Sequence, residues 1–205
     1  KEPVYPLKVL VCEKCLLVQL ADVNKADDIF TAGYVYFSSY AKSWVEHAKR
    51  YADKMTERFS LGAASFVVEV ASNDGYLLQH FKARDIECLG IDPAANAAEA
   101  AKAKGVETLV DFFGEDLARK VVETRGKADV IAANNVLAHV PELNDFVRGL
   151  KALLKPGGVI TIEFPHLMQL VEGVQFDTIY DEHFSYFSLG AAQRILSHHG
   201  LEIFD

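Results

Sequence analysis

Residues 65–75 read SFVVEVASNDG, and this segment is the clearest indication of the fold class. It begins with an apolar run of strand length, SFVVEVA, and the polar turn SNDG follows, from which a helix is predicted to start near Tyr76. Continuous apolar strands are typical of parallel sheets that helices cover on both faces. The stretch therefore predicts the first strand of such a sheet.

Strands and helices continue to alternate toward the C-terminus. Further strands are predicted at 87–91, 106–110, 128–133 and 159–164, the last of them after the turn KPGG. Helices are predicted up to about residue 104, at 115–124, at 141–154 and at 189–199, where Ser188 is the N-cap and Gly200 the C-terminal stop. This alternation predicts an α/β fold with a parallel sheet and helices on both faces.

Polar residues gather where the predicted strands end. They are Asn73-Asp74-Gly75, Asp92, Asp111, Asn134-Asn135 and Glu163. Ligands of open parallel sheets bind beyond the carboxyl ends of the strands. These residues therefore predict a single binding site along that edge.

The chain before the sheet has a different character. Residues 8–20 are short, apolar and β-like around Cys12 and Cys15, and the following residues up to 40 are rich in aromatics. Trp44 begins a helical stripe that we expect Gly62 to close. We divide the chain into a partial ribbon at 1–20, an aromatic-rich linker and helix covering the site at 21–62, and a core at 63–205.

Both ends of the sequence indicate a piece of a longer protein. The chain begins with Lys1 instead of methionine, and residues 201–204 have the pattern of a strand with nothing after it. We therefore expect the core to be truncated at its C-terminus.

Composition excludes several classes of protein. Of 205 residues, 50% are hydrophobic, which is enough for a packed core, and no apolar run approaches the roughly 20 residues that span a bilayer. Lys plus Arg number 21 against 29 for Asp plus Glu, a net charge of −8 that argues against nucleic acid or an anionic membrane as partner. Three cysteines do not make a disulfide framework, so a cytoplasmic location is expected; the oligomeric state stays open.

The loop after the first strand limits which classes of ligand the site can bind. A pyrophosphate needs several glycines for close backbone approach, whereas this loop offers one, Gly75, with carboxylates nearby. Those carboxylates instead favour a ligand with a cationic centre. Asp92 ends the second strand, where its carboxylate has acceptors for two ribose hydroxyls. Asp111 and Phe112 offer an acceptor for an adenine amine and an apolar wall for its ring.

Three segments together resemble the class I S-adenosylmethionine-dependent methyltransferases. They are Glu69-Val70-Ala71-Ser72-Asn73-Asp74-Gly75, Gly90-Ile91-Asp92-Pro93 and Lys155-Pro156-Gly157-Gly158. The resemblance implies a Rossmann-like methyltransferase sheet with S-adenosylmethionine as cofactor. The residues expected to bind that cofactor are Glu69, Asn73, Gly75, Asp92, Pro93, Asp111, Phe112 and Asn134.

Other segments are similar to the sugar C-methyltransferases, which act on nucleotide-linked keto-deoxysugars. They are Cys12–Leu20, Tyr34–Tyr40, Asn134-Asn135 with His139, and the stretch YDEHFSYFS at 180–188. This resemblance implies a small-molecule nucleotide-sugar substrate, a further C-terminal domain and an earlier pair of cysteines. Cys12 and Cys15 would then be half of a structural zinc site, remote from the chemistry, that is empty or partly occupied in this chain.

Methylating a carbon requires a base that removes a proton next to a ketone. We expect His183 to be that base, because imidazole titrates near neutral pH, and the resemblance implies the same position. Glu182 and Tyr180 are expected to orient the base or the sugar, Tyr180 also donating to the enolate oxygen. His139 is expected to bond the keto group. One of Tyr34, Tyr36 and Tyr40 is expected to line the sugar site, and Tyr36 is the choice among them.

Three alternatives stay open on the sequence alone. The first is an O- or N-methyltransferase acting on another small molecule, with the same base deprotonating a hydroxyl. A nicotinamide-dependent Rossmann oxidoreductase is disfavoured by the lone Gly75. The last alternative is a non-catalytic module that binds an adenosine ligand or zinc.

Overall fold

The computed structural model of the protein describes residues 7–21 and 34–205. The strands in these residues are β1 Val9–Val11, β2 Val18–Leu20, β3 Phe66–Val70, β4 Glu87–Ile91, β5 Thr108–Leu109, β6 Ala128–Asn134, β7 Leu154–Glu163 and β8 Ser185–Tyr186. The α-helices are α1 Lys42–Arg58, α2 Leu78–Lys82, α3 Ala95–Ala103, α4 Glu115–Arg125, α5 Leu143–Leu153, α6 Leu167–Glu172 and α7 Leu189–His198. Within these two ranges no helix has the length and apolarity that a membrane span requires.

Strands β3 to β7 form one parallel sheet in the order β5-β4-β3-β6-β7. The chain enters at β3 in the middle, moves outward through β4 and β5, and then crosses to β6 on the other side of β3. A crevice forms at this reversal because the loops after β3 and β6 lead away from each other. The predicted α/β fold is confirmed, and its site belongs at this reversal.

Both faces of the sheet are covered. Along β3, Phe66, Val68 and Val70 point to one face, where α4, α5 and α7 supply the buried partners. Val67 points to the other face and packs with residues of α1, α2 and α3. All five β3 residues are buried, as the uninterrupted apolar run predicts for a central strand.

A second, antiparallel sheet has the order β1-β2-β8. The β-like segment around the two cysteines is thus the ribbon β1–β2, and its second strand pairs with a strand from near the C-terminus, Gln19 opposite Ser185. The Leu20 amide also donates to the Phe184 carbonyl at 3.0 Å. The division of the chain at residue 20 therefore separates segments of sequence that share one sheet.

Three predicted boundaries differ from the structure. Helix α1 ends at Arg58, before Gly62, because Ser60 adopts a left-handed conformation (φ 51°) and the Leu61 amide turns back to the Thr56 carbonyl. Strand β5 contains only Thr108 and Leu109, whereas Val106 is buried in the core. Strand β7 begins at Leu154, because Leu154 pairs with Ala128 before the KPGG segment bulges out of the ladder.

The strand predicted at 201–204 is wrong. These residues pair with no strand among those the structure describes. Phe204 and Asp205 contact the end of α1 instead, where Arg58 lies over the Phe204 ring and forms an ion pair with Asp205. The N-cap of α7 is confirmed, since the Ser188 side chain accepts from the Ala191 amide at 3.2 Å.

Candidate active site

A cavity of about 890 Å³ opens at the carboxyl ends of β3, β4 and β6. Residues 34–40, here called the strap, form part of its wall, and the segment 180–183 forms another part. The sequence-predicted residues that line it are Tyr36, Asn73, Asp92, Pro93, Asp111, Phe112, Asn134, His139, Tyr180, Glu182 and His183. Residues separated by up to 147 positions in the sequence thus meet in one site.

Asp92 lies at the end of β4 with only 6% of its surface exposed. One carboxylate oxygen accepts from the Asn73 amide at 2.8 Å, and the other accepts from the Ala94 amide at 2.9 Å. Burial raises the pKa of Asp92, and these two amide donors act in the opposite direction. Each oxygen keeps a further lone pair, so the carboxylate is fixed in place and still able to accept from a ligand.

The aromatic wall of the cavity follows β5. Phe112 lines it, and the Asp111 carboxylate accepts from the Phe112 amide at 2.8 Å. On the floor, Asn134 at the end of β6 donates to the Tyr76 hydroxyl at 3.5 Å. The floor therefore carries polar groups between apolar walls, an arrangement typical of small-molecule sites.

Glu69 and Gly75 lie behind the cavity wall. Glu69 is fully buried inside β3, and this burial raises its pKa well above the usual range. Gly75 has φ 75°, and a Cβ there would lie 3.2 Å from the Ala101 Cβ and from the Val106 Cγ2. Gly75 therefore serves the tight turn and the packing of that turn on α3.

The Asn73 side chain is engaged by the strap. Its amide oxygen accepts from the Ser38 amide at 2.9 Å, and its amide nitrogen donates to the Tyr36 carbonyl at 3.1 Å. Tyr36 itself lines the cavity and is 56% exposed. The predicted cofactor residue Asn73 thus also holds the predicted sugar-site residue Tyr36.

His183 is held by two hydrogen bonds that define its tautomer. Nδ1 lies 2.9 Å from the Thr178 carbonyl, which only accepts, so Nδ1 carries the proton. Nε2 then accepts from the Tyr180 hydroxyl at 2.8 Å. Burial lowers the pKa of His183, which is 8% exposed, whereas burial raises the pKa of Tyr180 to about 12. The pair is a neutral imidazole with a basic Nε2 and a protonated phenol.

His139 stands beside this pair. Its ring centroid is 4.6 Å from that of His183, and its Nδ1 donates to the Glu182 carbonyl at 2.8 Å. Burial and the neighbouring His183 lower the pKa of His139 to about 4. The Glu182 carboxyl lines the same wall, and burial, followed by the charge of Asp181, raises its pKa. All four predicted residues of this wall are brought together.

The profile of a family described as a methyltransferase domain matches residues 44–205. That range holds the parallel sheet, Asp92 and the His183 pair. The chain belongs to the S-adenosylmethionine-dependent methyltransferases.

Curated relatives of this methyltransferase differ in what they methylate. Over 204 residues it is 37% identical to the C-methyltransferase NovU of Streptomyces niveus, covering 100% of this chain and 48% of NovU. It is 30% identical over 94 residues to a ubiquinone biosynthesis O-methyltransferase of Bordetella avium, covering 45% of this chain and 39% of that protein. The chain thus spans about half the length of NovU, and less of the other relative.

Solved structures show the same fold. A methyltransferase from Archaeoglobus fulgidus superposes with a TM-score of 0.58 at 16% identity, over 75% of this chain and 68% of that one. The [4+2]-cyclase SpnF gives 0.58 at 22% identity, over 79% and 61%. A methyltransferase and a cyclase share this fold, so structural similarity does not identify the reaction. The chemistry of this methyltransferase must be argued from its site.

The cavity fits the cofactor of the family. Its volume of about 890 Å³ lies in the range of small-molecule sites, and Asp92 is a buried acceptor with lone pairs to spare. Among the lining residues that the structure describes, six carry carboxylates and one, Lys120, is a lysine, so a ligand with a positive centre is favoured. Those carboxylates are Asp92, Asp111, Asp116, Glu142, Asp145 and Glu182.

Sequence reasoning missed several residues of the cavity. Tyr76 and Trp44 line it, with ring centroids 6.2 Å apart. The sequence marks Trp44 only as part of a helix stripe, and Tyr76 only as a helix start. Thr178 contributes through its backbone carbonyl, for which side-chain chemistry gives no signal.

Cys12 and Cys15 lie in the turn between β1 and β2. The backbone amides of Cys15 and Lys14 lower the pKa of the Cys12 thiol, which favours the thiolate that metals bind. In residues 7–21 and 34–205, no group of three His, Cys, Asp or Glu side chains is arranged to hold a metal ion. The half zinc site therefore stays a prediction.

Proposed function

We propose that this methyltransferase methylates a carbon next to the ketone of a nucleotide-linked 4-keto-deoxysugar. The observation that carries the proposal is the neutral His183, with Nε2 in contact with the Tyr180 phenol at the cavity wall. The match to NovU over the whole chain supports transfer to carbon. The sugar is proposed from the resemblance of residues 180–188 to enzymes of that class.

Bound S-adenosylmethionine supplies an electrophilic methyl group on a sulfonium. Asp92 would accept from its ribose hydroxyls, and Phe112 and Pro93 would flank the adenine. Asn134, at the end of β6, would lie toward the amino-acid end. Asn73 supports this side through its amide bond to Asp92. The role of these residues is to fix the donor in one orientation, since positioning supplies much of the rate of an in-line displacement.

His183 starts the reaction by taking a proton. When the keto oxygen of the sugar accepts the Tyr180 O–H, Nε2 loses its hydrogen-bond donor and faces the acidic C–H. The proton moves to Nε2, and the electron pair of the C–H bond moves into the enolate. The Thr178 carbonyl holds Nδ1–H throughout, so the resulting imidazolium keeps its orientation.

One donor stabilises the enolate oxygen. It is Tyr180, because its pKa of about 12 keeps the phenol protonated at neutral pH. His139 stays neutral beside the imidazolium of His183, since its pKa is about 4. Its one N–H, on Nδ1, already donates to the Glu182 carbonyl, so the expected bond from His139 to the keto group has no donor. Hydrogen-bond donors that are already in place where charge develops lower the barrier without reorganising. Glu182 and Tyr36 would then contact the sugar hydroxyls.

Product analysis tests transfer to carbon. The protein, a nucleoside diphosphate-linked 4-keto-6-deoxyhexose and methyl-¹³C-labelled S-adenosylmethionine are expected to give a product with a carbon-bound methyl signal in ¹³C NMR. Incubation with the sugar in D₂O without the methyl donor is expected to place deuterium on the carbon next to the ketone, because His183 exchanges that proton. A methoxy signal would refute the proposal and would indicate an O-methyltransferase.

The pH profile reports the state of the base. Burial lowers the pKa of His183, so the neutral form persists below the ordinary histidine value of about 6.5. We expect kcat to be constant above that pH and to fall as the pH drops through the lowered pKa, since protonation removes the base. No fall from Tyr180 is expected on the alkaline side below about pH 10, because its pKa lies near 12.

The control for this profile is His139→Gln. The pKa of His139 is about 4, and this residue is not the base, so the acid limb should keep its position in this variant. An acid limb above about pH 6.5, or one that shifts in the His139 variant, would contradict the assignment of His183.

A further inference from the structure

The strap is attached to the cofactor side of the cavity by side chains that bind its backbone. Asn96 of α3 donates to the Tyr34 carbonyl at 2.6 Å, and the Asp74 carboxylate accepts from the Ser39 amide at 3.3 Å. Lys104, paired with Asp74 at 2.9 Å, also donates to the Ser39 hydroxyl at 2.9 Å. These contacts come from the loop after β3 and from the helix after Asp92.

Asn73 makes the central attachment. Its carboxamide bonds to the strap on both sides of Phe37, at the Tyr36 carbonyl and the Ser38 amide, as a paired strand would. The side chain is held firmly, because Asn73 is 7% exposed and has φ 48°, a conformation that asparagine tolerates better than most residues. Its backbone amide is bonded to Asp92.

These bonds form one path between the two halves of the site. The carboxylate of Asp92 holds the backbone of Asn73, and the side chain of Asn73 holds the strap. The strap in turn brings Tyr34 and Tyr36 into the wall that also contains Tyr180 and Glu182. Asn73 therefore links the residue that would hold the ligand, Asp92, to the backbone that positions Tyr36.

We propose that Asn73 is a positioning residue: it fixes the strap over the cavity and couples occupation of the Asp92 side to the order of the strap. The alternative is that the Asn73 side chain is chiefly a cofactor ligand. The proposal rests on the cofactor of the family and not on the proposed sugar, so it can fail or hold independently of transfer to carbon. The two roles differ in what loss of the carboxamide does.

The test is hydrogen exchange of the strap amides in Asn73→Gly, with and without S-adenosylhomocysteine. Glycine accepts the left-handed backbone and removes only the side chain. Exchange of the Ser38 amide is expected to accelerate about tenfold or more, because its acceptor is gone. The dissociation constant of S-adenosylhomocysteine, measured by calorimetry, is expected to stay within about threefold of the parent value.

The effect of the ligand on hydrogen exchange of the strap gives a second measurement. In the parent protein, S-adenosylhomocysteine is expected to slow exchange of the Ser38 and Ser39 amides about fivefold or more, and in Asn73→Gly this effect should disappear although the ligand still binds. If Asn73 only stabilised the strap, its loss would speed the ligand-free exchange and leave the ligand-dependent slowing of the Ser39 amide in place. The proposal is overturned if the strap amides keep their parent behaviour, or if affinity falls about thirtyfold or more while Ser38 exchange is unchanged.

A variant on the strap side gives an independent measurement should Asn73→Gly not fold. Ser38→Pro removes the Ser38 N–H at the first position of a 3-10 turn, and the preceding Phe37 already has the extended backbone that proline requires (φ −121°, ψ 116°). Faster Ser39 exchange without ligand-dependent slowing is expected, and unchanged exchange would contradict the proposal. Asn135→Gly is the matched control, an asparagine with φ 51° that should leave strap exchange unaltered.

Discussion

Replacing His183 with asparagine is expected to lower kcat for methyl transfer about a thousandfold, which is within the usual range for loss of a general base. Asparagine can still donate to the Thr178 carbonyl as Nδ1–H does, but it has no counterpart of the basic Nε2. The Tyr180 hydroxyl loses its acceptor in this variant, and a phenol with a pKa of about 12 is already protonated and does not replace the base. Single-turnover rates with saturating S-adenosylmethionine measure the effect.

Two measurements separate loss of the base from loss of the fold. The affinity for S-adenosylhomocysteine should stay within about threefold in His183→Asn, because Asp92 and Phe112 belong to other strands and loops. Solvent deuterium exchange into the keto sugar should disappear together with turnover. Tyr180→Phe keeps the ring and loses the O–H, and we expect a smaller fall of about ten- to a hundredfold. A fall of less than tenfold in His183→Asn would mean that another group removes the proton.

Replacing Asp92 with alanine is expected to weaken S-adenosylhomocysteine binding by a factor of about a hundred or more. Hydrogen bonds to charged groups contribute about 1.5–3 kcal/mol each, and in the proposed role the carboxylate accepts from two ribose hydroxyls. Because Asp92 is buried, water replaces those bonds poorly. Titration calorimetry at constant pH gives the dissociation constant directly.

The Asp92 variant also disturbs the protein itself. It removes the acceptors of the Asn73 and Ala94 amides, so its thermal midpoint without ligand must be compared with that of the parent. Asp92→Asn keeps the size and one oxygen acceptor, and an intermediate affinity is expected. Unchanged affinity in Asp92→Ala would show that the ribose is held elsewhere, and the assignment of the cofactor side would fall.

The sheet could be predicted from sequence because its signals are local. The strand predicted at 87–91 coincides with β4, and the run at 65–71 contains β3, since a buried central strand must be apolar along its length. Strand prediction failed where tertiary packing, and not local sequence, determines the conformation. Val106 reads as strand but its side chain is buried under Gly75, and residues 201–204 have strand composition without a neighbouring strand to pair with.

Most of the predicted site residues do line the cavity, but the hydrogen bonds between them could not be predicted. Polar residues at strand ends indicate where a ligand binds, and the His183 segment is marked by its resemblance to a family. The bond from His139 to Glu182 spans 43 residues, and the bonds from Asn73 to the strap span 35 and 37. No spacing rule covers contacts of this range, because they depend on how loops from different strands meet. The backbone partner Thr178 leaves no trace in sequence at all.

The pairing of β2 with β8 has a consequence for how the enzyme can fail. In the proposed function, the large parallel sheet recognises the cofactor, and the base His183 belongs to a segment that continues, two residues later, into the small antiparallel sheet. Disturbing the turn that contains the two cysteines would therefore displace His183 more than the residues of the cofactor side. A protein disturbed in this way would still bind its cofactor but would not transfer the methyl group.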